Sequence, residues 1–139
     1  MDPSALGGAV EGEDARWPVE AARAAEAKSA TDVVVLEVGA LLALTGHFVI
    51  ATGSNARLVR SVADEVERRV HDAGGPRPVR VEGRDEATWV LMDYGDFVVH
   101  IFSTEARDYY DLERLWGDVP IIAWRDPAVA ASESRGGAR

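Results

Sequence analysis

The pattern of apolar and polar residues along the chain predicts helices and strands. An alanine-rich stretch from about Pro18 to Lys28 predicts a first helix, with Pro18 in the first turn, where a backbone N–H has no intrahelical partner. A second helix is predicted from Ser54 to about Ala73, with Ser54 as its N-cap. The apolar positions of this second helix recur at helical spacing and form one stripe, made of Leu58, Val59, Val62, Val66 and Val70.

Five short apolar blocks predict β-strands. The predicted strands are Val33–Leu36, His47–Thr52, Val79–Glu82, Thr88–Asp93 and Phe97–Ser103. The first block is apolar on both faces, which favours a central strand that is covered on each side. The pair Tyr94-Gly95 predicts a tight turn that joins the last two strands as a hairpin.

A last helix is predicted to begin at Thr104, which caps it, and to continue to about Trp116 before Gly117 ends it. Tyr109, Leu112 and Trp116 would then share one helix face, which we expect to pack on the sheet. The predicted order of elements is α-β-β-α-β-β-β-α. This order indicates an α/β fold in which helices flank a mixed five-stranded sheet.

Length and composition indicate one folded domain between two tails. The chain has 139 residues, of which 47% are hydrophobic and 28% are charged, close to the averages of globular proteins. Residues 1–15 and 123–139 are predicted to be disordered tails, which leaves residues 16–122 as the domain. The start lacks a signal-peptide pattern and no apolar run is long enough to cross a membrane, so we expect a cytoplasmic protein.

The charge is strongly acidic and unevenly distributed. The chain carries 24 acidic and 15 basic residues, a net charge of −9. Residues 82–118 hold ten acidic and three basic residues, so this segment alone carries −7. Nucleic-acid binding depends on Lys and Arg that neutralise phosphates, so no direct DNA binding is expected. Charge alone favours acidity that serves only solubility, and attraction of a basic protein to this segment is the alternative.

The turn Gly53-Ser54 suggests a phosphate site, because a strand that runs into a glycine turn and a helix N-terminus can hold a phosphate. A nucleotidyltransferase that uses such a turn needs closely spaced carboxylates for its metal ions, and the first acidic residue after Ser54 is Asp64, deep in the helix. The chain also has no cysteine, which excludes thiol catalysis. We therefore expect a capped helix turn, with no catalytic residue, metal site or cofactor. A nucleotide-binding enzyme is the alternative.

His100 and Asp93 are the other candidates for chemistry. His100 lies in an apolar strand and shares a face with Val98 and Phe102, where a histidine is more often structural than catalytic. Asp93 and Asp96 bracket the predicted hairpin turn, and carboxylates at turns commonly bind nearby backbone N–H groups. Both residues therefore favour a structural interpretation.

Most of the aromatic residues fall in the acidic segment. Seven of the ten lie between Trp89 and Trp116. Exposed Trp and Tyr among charged residues are typical of protein-binding surfaces. We expect Phe97 in the core, and we expect Trp89 and Tyr94 on the surface because they stand at a strand edge and in a turn.

Three stretches carry a set of motifs that is specific in combination. They read HFVIATGSNARLVRSVADEV, VEGRDEATWVLMDYGDFVVHIF and ARDYYDLERLWGD. Their motifs are Thr52-Gly53-Ser54, Glu82-Gly83, Trp89, Asp93-x-Gly95-Asp96, Val99-His100 and Tyr110-x-Leu112-Glu113-x-Leu115-Trp116. Over about residues 18–120 the chain resembles the ribosome silencing factor family, also called Iojap-like. Gly46 is a departure, because the family usually carries an aspartate there, and no role of that aspartate is transferred to Gly46.

The resemblance implies a nucleotidyltransferase-like fold without catalytic carboxylates. It further implies binding to the large ribosomal subunit through the conserved ribosomal protein numbered fourteen, which blocks joining with the small subunit and represses translation under nutrient limitation. The residues expected at this contact are Glu82, Asp85, Trp89, Asp93, Tyr94, His100 and Phe102. An exposed aromatic surface can also pair with itself, so a homodimer of the free protein is a further expectation.

Overall fold

The computed structural model of the chain describes residues 15–39, 42, 45–115 and 117–127. The strands are β1 (Thr31–Glu37), β2 (His47–Gly53), β3 (Arg80–Glu82), β4 (Trp89–Asp93) and β5 (Phe97–Ser103). The helices are α1 (Arg16–Ala27), α2 (Ala56–Asp72), α3 (Thr104–Tyr110) and α4 (Leu112–Leu115). The predicted α/β fold is confirmed, whereas its nucleotidyltransferase-like character stays a prediction. Within these ranges no helix is long and apolar enough to cross a membrane.

The five strands form one mixed sheet in the order β1-β2-β5-β4-β3. β2 and β5 are parallel neighbours at its centre, and the other pairs are antiparallel. β1 is therefore an edge strand, and the prediction that it is central was wrong. It is apolar on both faces because Val35 packs in one hydrophobic core and Leu36 in the other. Its outer edge is covered by the chain near Ile121, since Ile122 N–H donates to the Val35 carbonyl at 2.9 Å.

Helices α1 and α2 cover one face of the sheet, which we call the helical face. The four valines of the apolar stripe predicted for α2 have no exposed surface there, and Leu58, its fifth member, is half-buried. Opposite them, α1 presents small side chains, which let the two helices and the sheet approach closely; these are Ala21, Ala22, Ala24 and Ala25. Glu20 of α1 and Arg69 of α2 form an ion pair at 2.8 Å across the helix pair.

The N-caps of α2 and α3 differ from the prediction by one residue. Asn55, not Ser54, caps α2, and its side-chain oxygen accepts a hydrogen bond of 2.8 Å from the backbone N–H three residues further on. Ser103, not Thr104, caps α3 in the same way at 3.2 Å. Both capping residues have extended backbone angles, which an N-cap requires, so the helix begins only at the residue after each.

The last predicted helix is interrupted at Asp111. This residue has a φ of 44°, in the left-handed region, so α3 ends before it and α4 begins after it. The predicted helix face is therefore not formed as expected: Tyr109 is 82% exposed, while Leu112 packs against the sheet. Trp116, the third member of that face, lies outside the described residues.

The folded domain extends beyond the predicted boundary at residue 122. Trp124 is 8% exposed and packs in the core of the helical face. Its indole N–H donates to the carbonyl of Val33 at 3.1 Å, and its own carbonyl accepts from Arg23 of α1 at 2.8 Å. Trp124 therefore belongs to the domain rather than to a tail. The outer parts of both predicted tails lie outside the described residues.

Candidate protein-binding surface

The sheet face opposite the helical face is covered over one half only. On the side of β1 and β2, Ala106, Leu112 and Val119 pack against a second hydrophobic core. The side of β4 and β5 is more open. Along β4, the residues that point away from the helical face are half-buried, whereas those that point toward it, Val90 and Met92, are buried.

Five apolar side chains make up this more open area, which we call the open face. They are Phe48, Trp89, Leu91, Val98 and Tyr110. Phe48 and Val98 are paired across β2 and β5, and side chains of directly paired residues stand on the same side of a sheet. Tyr110 is 44% exposed at the edge of the open face. A half-exposed aromatic and aliphatic area of this kind is typical of a binding surface.

Trp89 is held in place on the open face by ring contacts and a hydrogen bond. Its ring centroid lies 4.6 Å from that of Tyr110 and 5.1 Å from that of Phe102. Its indole N–H donates a hydrogen bond of 3.1 Å to Nδ1 of His100. These contacts hold the indole in one orientation before any partner arrives, which reduces the entropy lost on binding.

His100 lies beneath Trp89 and is neutral at physiological pH. It is 5% exposed, and burial lowers its pKa to about 4. Because Nδ1 accepts the hydrogen bond from Trp89, the proton of the neutral ring is on Nε2. That Nε2 atom is buried without a hydrogen-bond partner among the described residues, and Phe48 packs on the ring at a centroid distance of 4.7 Å. This geometry agrees with a structural role for His100.

Two acidic residues stand at the border of the open face. Glu82 is paired with Leu91 between β3 and β4, so its side chain is on the same side of the sheet, and Asp93 follows two residues later on β4. Arg80 lies 3.4 Å from the Glu82 carboxylate and 3.5 Å from that of Asp93. Asp93 also accepts the backbone N–H of Gly95 at 2.8 Å, which is the turn-forming role that its position predicts.

The structure brings most of the predicted contact residues to this side of the sheet. Those that share it are Glu82, Trp89, Asp93, His100 and Phe102. His100 and Phe102 are 5% and 0% exposed, so they support Trp89 from below. Asp85 is exposed in the loop before β4. Whether these residues contact a partner stays a prediction.

The expectation that Tyr94 lies on the surface is wrong. It is 5% exposed and belongs to the core of the helical face, where its ring stacks on Phe97 at a centroid distance of 4.5 Å. Side chains alternate along a strand, so Tyr94 points away from the side of Asp93 even though it opens the hairpin turn. Burial raises the pKa of its hydroxyl. The expected core position of Phe97, which is 2% exposed, is confirmed.

Sequence reasoning missed four residues of the open face. These are Phe48, Leu91, Val98 and Tyr110. The alternation along β4 places Trp89 and Leu91 on one side of the strand, so the sequence could have predicted that Leu91 shares a surface with Trp89. The opposite side of β4 is equally apolar, however, so the local pattern does not reveal which side the helices leave open.

The turn at Gly53 and Ser54 is shaped by packing between β2 and α2. A Cβ atom on Gly53 would lie 3.0 Å from the backbone nitrogen of Val59 and 2.8 Å from its Cγ2 atom, so only glycine allows this close approach. Asn55 occupies the N-terminus of the helix as its cap. Both features agree with the predicted capped turn. Within the described ranges no group of three or more His, Asp or Glu side chains could hold a metal ion.

Known proteins show clear similarity to this chain. Residues 13–138 match the family model described as ribosomal silencing factor during starvation, RsfS. The ribosomal silencing factor RsfS of Bacillus subtilis is 40% identical over 101 residues, which cover 73% of this chain and 85% of that protein. A Mus musculus protein named mitochondrial assembly of ribosomal large subunit protein 1 is 29% identical over 92 residues, which cover 64% of this chain and 40% of that protein. A crystal structure of a Chromobacterium violaceum protein has a TM-score of 0.69 and 34% identity, and covers 81% of this chain and 92% of that one.

Proposed function

The chain belongs to the ribosomal silencing factor family, and we propose that it silences ribosomes by binding the large ribosomal subunit. Bound there, it prevents joining with the small subunit and represses translation in the cytoplasm when nutrients are limiting. The family description refers to silencing during starvation, and the name of the mouse relative refers to the large subunit. The proposed mechanism is steric, so it depends on affinity and position rather than on turnover.

The open face is the observation that carries this proposal. It presents Trp89 of β4 and Tyr110 of α3, residue types that are enriched at protein interfaces, with their rings in contact. At its border Glu82 and Asp93 outnumber Arg80, which pairs with both, and the segment from residue 82 to 118 carries a charge of −7. A surface with an aromatic centre and an acidic border suits a basic ribosomal protein, and the conserved ribosomal protein numbered fourteen is our proposed partner.

Co-sedimentation with purified subunits tests this proposal. We expect the protein to travel with large subunits on a sucrose gradient and to lower the yield of joined ribosomes when small subunits are added. Leu91→Lys places a positive charge in the open face and should weaken binding at least tenfold. Val79→Lys is the matched control, because Val79 is 77% exposed outside the open face, and its binding should stay within about twofold of wild type. Equal losses in both variants, or equal recovery of the wild type with both subunits, would contradict the proposal.

We also propose that the free protein forms a homodimer through the open face, which would then be covered until a ribosome is available. In a two-fold symmetric dimer each residue of the face meets the same face of the second copy. Leu91→Lys would place two positive charges in one interface and should give a monomer. Light scattering at micromolar concentration tests this, and a monomeric wild type would show that the open face does not pair with itself.

A further inference from the structure

A groove on the helical side of the molecule collects positive charge in a chain whose net charge is −9. The groove lies between the end of α1 and the first half of α2 and has a volume of about 450 Å³. Its basic and hydroxyl side chains are Lys28, Arg57, Arg60, Ser61 and Arg68. This basic groove stands out because the remainder of the chain is so rich in acid.

Two carboxylates also line the basic groove, and both are already neutralised. Asp64 pairs with Arg84, which comes from outside the groove, at 2.8 Å. Glu65 pairs with Arg68 at 2.6 Å, and the hydrogen bond from Arg68 is the main cause that lowers the pKa of Glu65. The charge of Lys28 also lowers the pKa of Glu65, but the four cations that line the groove still outnumber its two carboxylates.

Three cations of the basic groove remain without a carboxylate partner. Lys28 and Arg57 are exposed and have no carboxylate within ion-pair distance in the described part of the chain. Arg60 donates to the backbone carbonyls of Arg84 and Asp85, which fix its position but leave its charge in place. The groove thus offers three positive charges and the hydroxyl of Ser61 from two rigid helices.

The basic groove lies at the same end of the sheet as Trp89. The carboxyl end of β2 leads through Asn55 into α2, and the parallel strand β5 ends beside it. Trp89 is paired with Phe102 near that end of β5. Arg60 of α2 is bonded to the loop that precedes β4. The groove and Trp89 thus lie toward the same end of the sheet but on its opposite faces, and a partner as large as a ribosomal subunit can reach both around that end.

We propose that the basic groove binds phosphate groups of ribosomal RNA, around the end of the sheet from the protein contact of the open face. This inference rests on the proposed binding to the large subunit and adds a second class of contact to it. Lys and Arg gain affinity for RNA by releasing the counterions that surround phosphates. Three free cations limit the contact to two or three phosphates. The acidic segment disfavours RNA around the groove, so the phosphates are met only in the orientation that the open face sets.

The dependence of large-subunit binding on salt tests this proposal. Each phosphate contact contributes about 0.7 to 0.9 to the slope of log affinity against log salt. The double variant Lys28→Ala and Arg57→Ala should therefore have a slope that is less steep by about 1.4 to 1.8. The ratio of wild-type affinity to variant affinity should then be about 7- to 12-fold smaller at 200 mM salt than at 50 mM salt. Both residues are exposed, so the variant should fold, and a melting curve checks this.

Two controls separate this inference from the proposed function. Arg16→Ala with Arg77→Ala also removes two exposed positive charges, but near the opposite end of the helix pair, and it should leave the slope within about 0.3 of wild type. Leu91→Lys should lower the affinity for large subunits but keep the phosphate contacts of the basic groove, so its salt slope should not decrease by about 1.4 to 1.8. If the wild type binds large subunits and both double variants have equal slopes, the basic groove does not bind RNA although the proposed function stands. If the wild type does not bind large subunits at all, both proposals fail.

Discussion

Substitution of Trp89 tests how the open face is built and what it does. Two variants separate its roles. Trp89→Phe keeps an aromatic ring against Tyr110 and Phe102 but removes the indole N–H that His100 accepts. Trp89→Ala removes the ring as well. We expect both variants to fold, because Trp89 is only half-buried and the larger core lies on the helical face.

The two variants should differ in stability by a definite amount. Trp89→Phe leaves the buried Nδ1 of His100 without a donor, which costs about 1–3 kcal/mol. Trp89→Ala also loses two ring contacts, each of about 0.5–1.5 kcal/mol, so its cost should be about 2–6 kcal/mol. At about 4 °C for each kcal/mol, the melting temperature should fall by about 4–12 °C in the first variant and about 8–24 °C in the second.

Binding to large subunits should separate the variants more strongly. Loss of a central tryptophan at an interface costs at least about 2 kcal/mol, or about 30-fold in affinity, and we expect this for Trp89→Ala well below its melting temperature. Trp89→Phe retains most of the contact area and should lose less than tenfold. Tyr94→Phe is the control, since Tyr94 is buried on the opposite side with a hydroxyl that has no partner among the described residues, and it should bind normally.

Either of two results would refute this account of Trp89. A Trp89→Phe variant that melts at the wild-type temperature would mean that the hydrogen bond to His100 contributes nothing. A folded Trp89→Ala variant that binds large subunits as tightly as wild type would remove the open face from the proposed contact. The first result would leave the proposed function intact, and the second would not.

Three further predictions concern stability. Burial lowers the pKa of His100 to about 4 from about 6.5 in the unfolded chain, so the unfolded state takes up the proton first as the pH falls. Between pH 7 and pH 5 the free energy of unfolding, measured by urea denaturation, should therefore fall by about 2 kcal/mol more in wild type than in His100→Phe. Equal decreases in the two proteins would contradict this. Asn55→Ala should cost about 1 kcal/mol by the same method while Ser54→Ala changes little, because Asn55 is the cap, and the reverse order would restore Ser54 to that role. Trp124→Ala should cost about 3–5 kcal/mol, and a variant as stable as wild type would return Trp124 to a tail.

The candidate site was predictable only in part, and His100 and Tyr94 show why. The side of the strand on which His100 stands follows from the alternation of side chains, so its shared face with Phe102 could be predicted from sequence. The same rule places Tyr94 on the opposite side from Asp93, but the turn position suggested exposure. Only the helices above the sheet decide that the side of Tyr94 is the buried one.

Local sequence determined most of the elements, because hydrophobic periodicity and turn residues act over a few neighbouring positions. The stripe of α2, the hairpin turn at Gly95 and the mixed five-stranded sheet all follow from such patterns. Tertiary structure decided what depends on distant partners. β1 has two apolar faces, as a central strand would, but it lies at an edge of the sheet. Residues 120–122 cover its outer side, which the local pattern does not reveal. The open face and the basic groove likewise form where separate elements of the chain pack together, and their burial and charge balance depend on those neighbours.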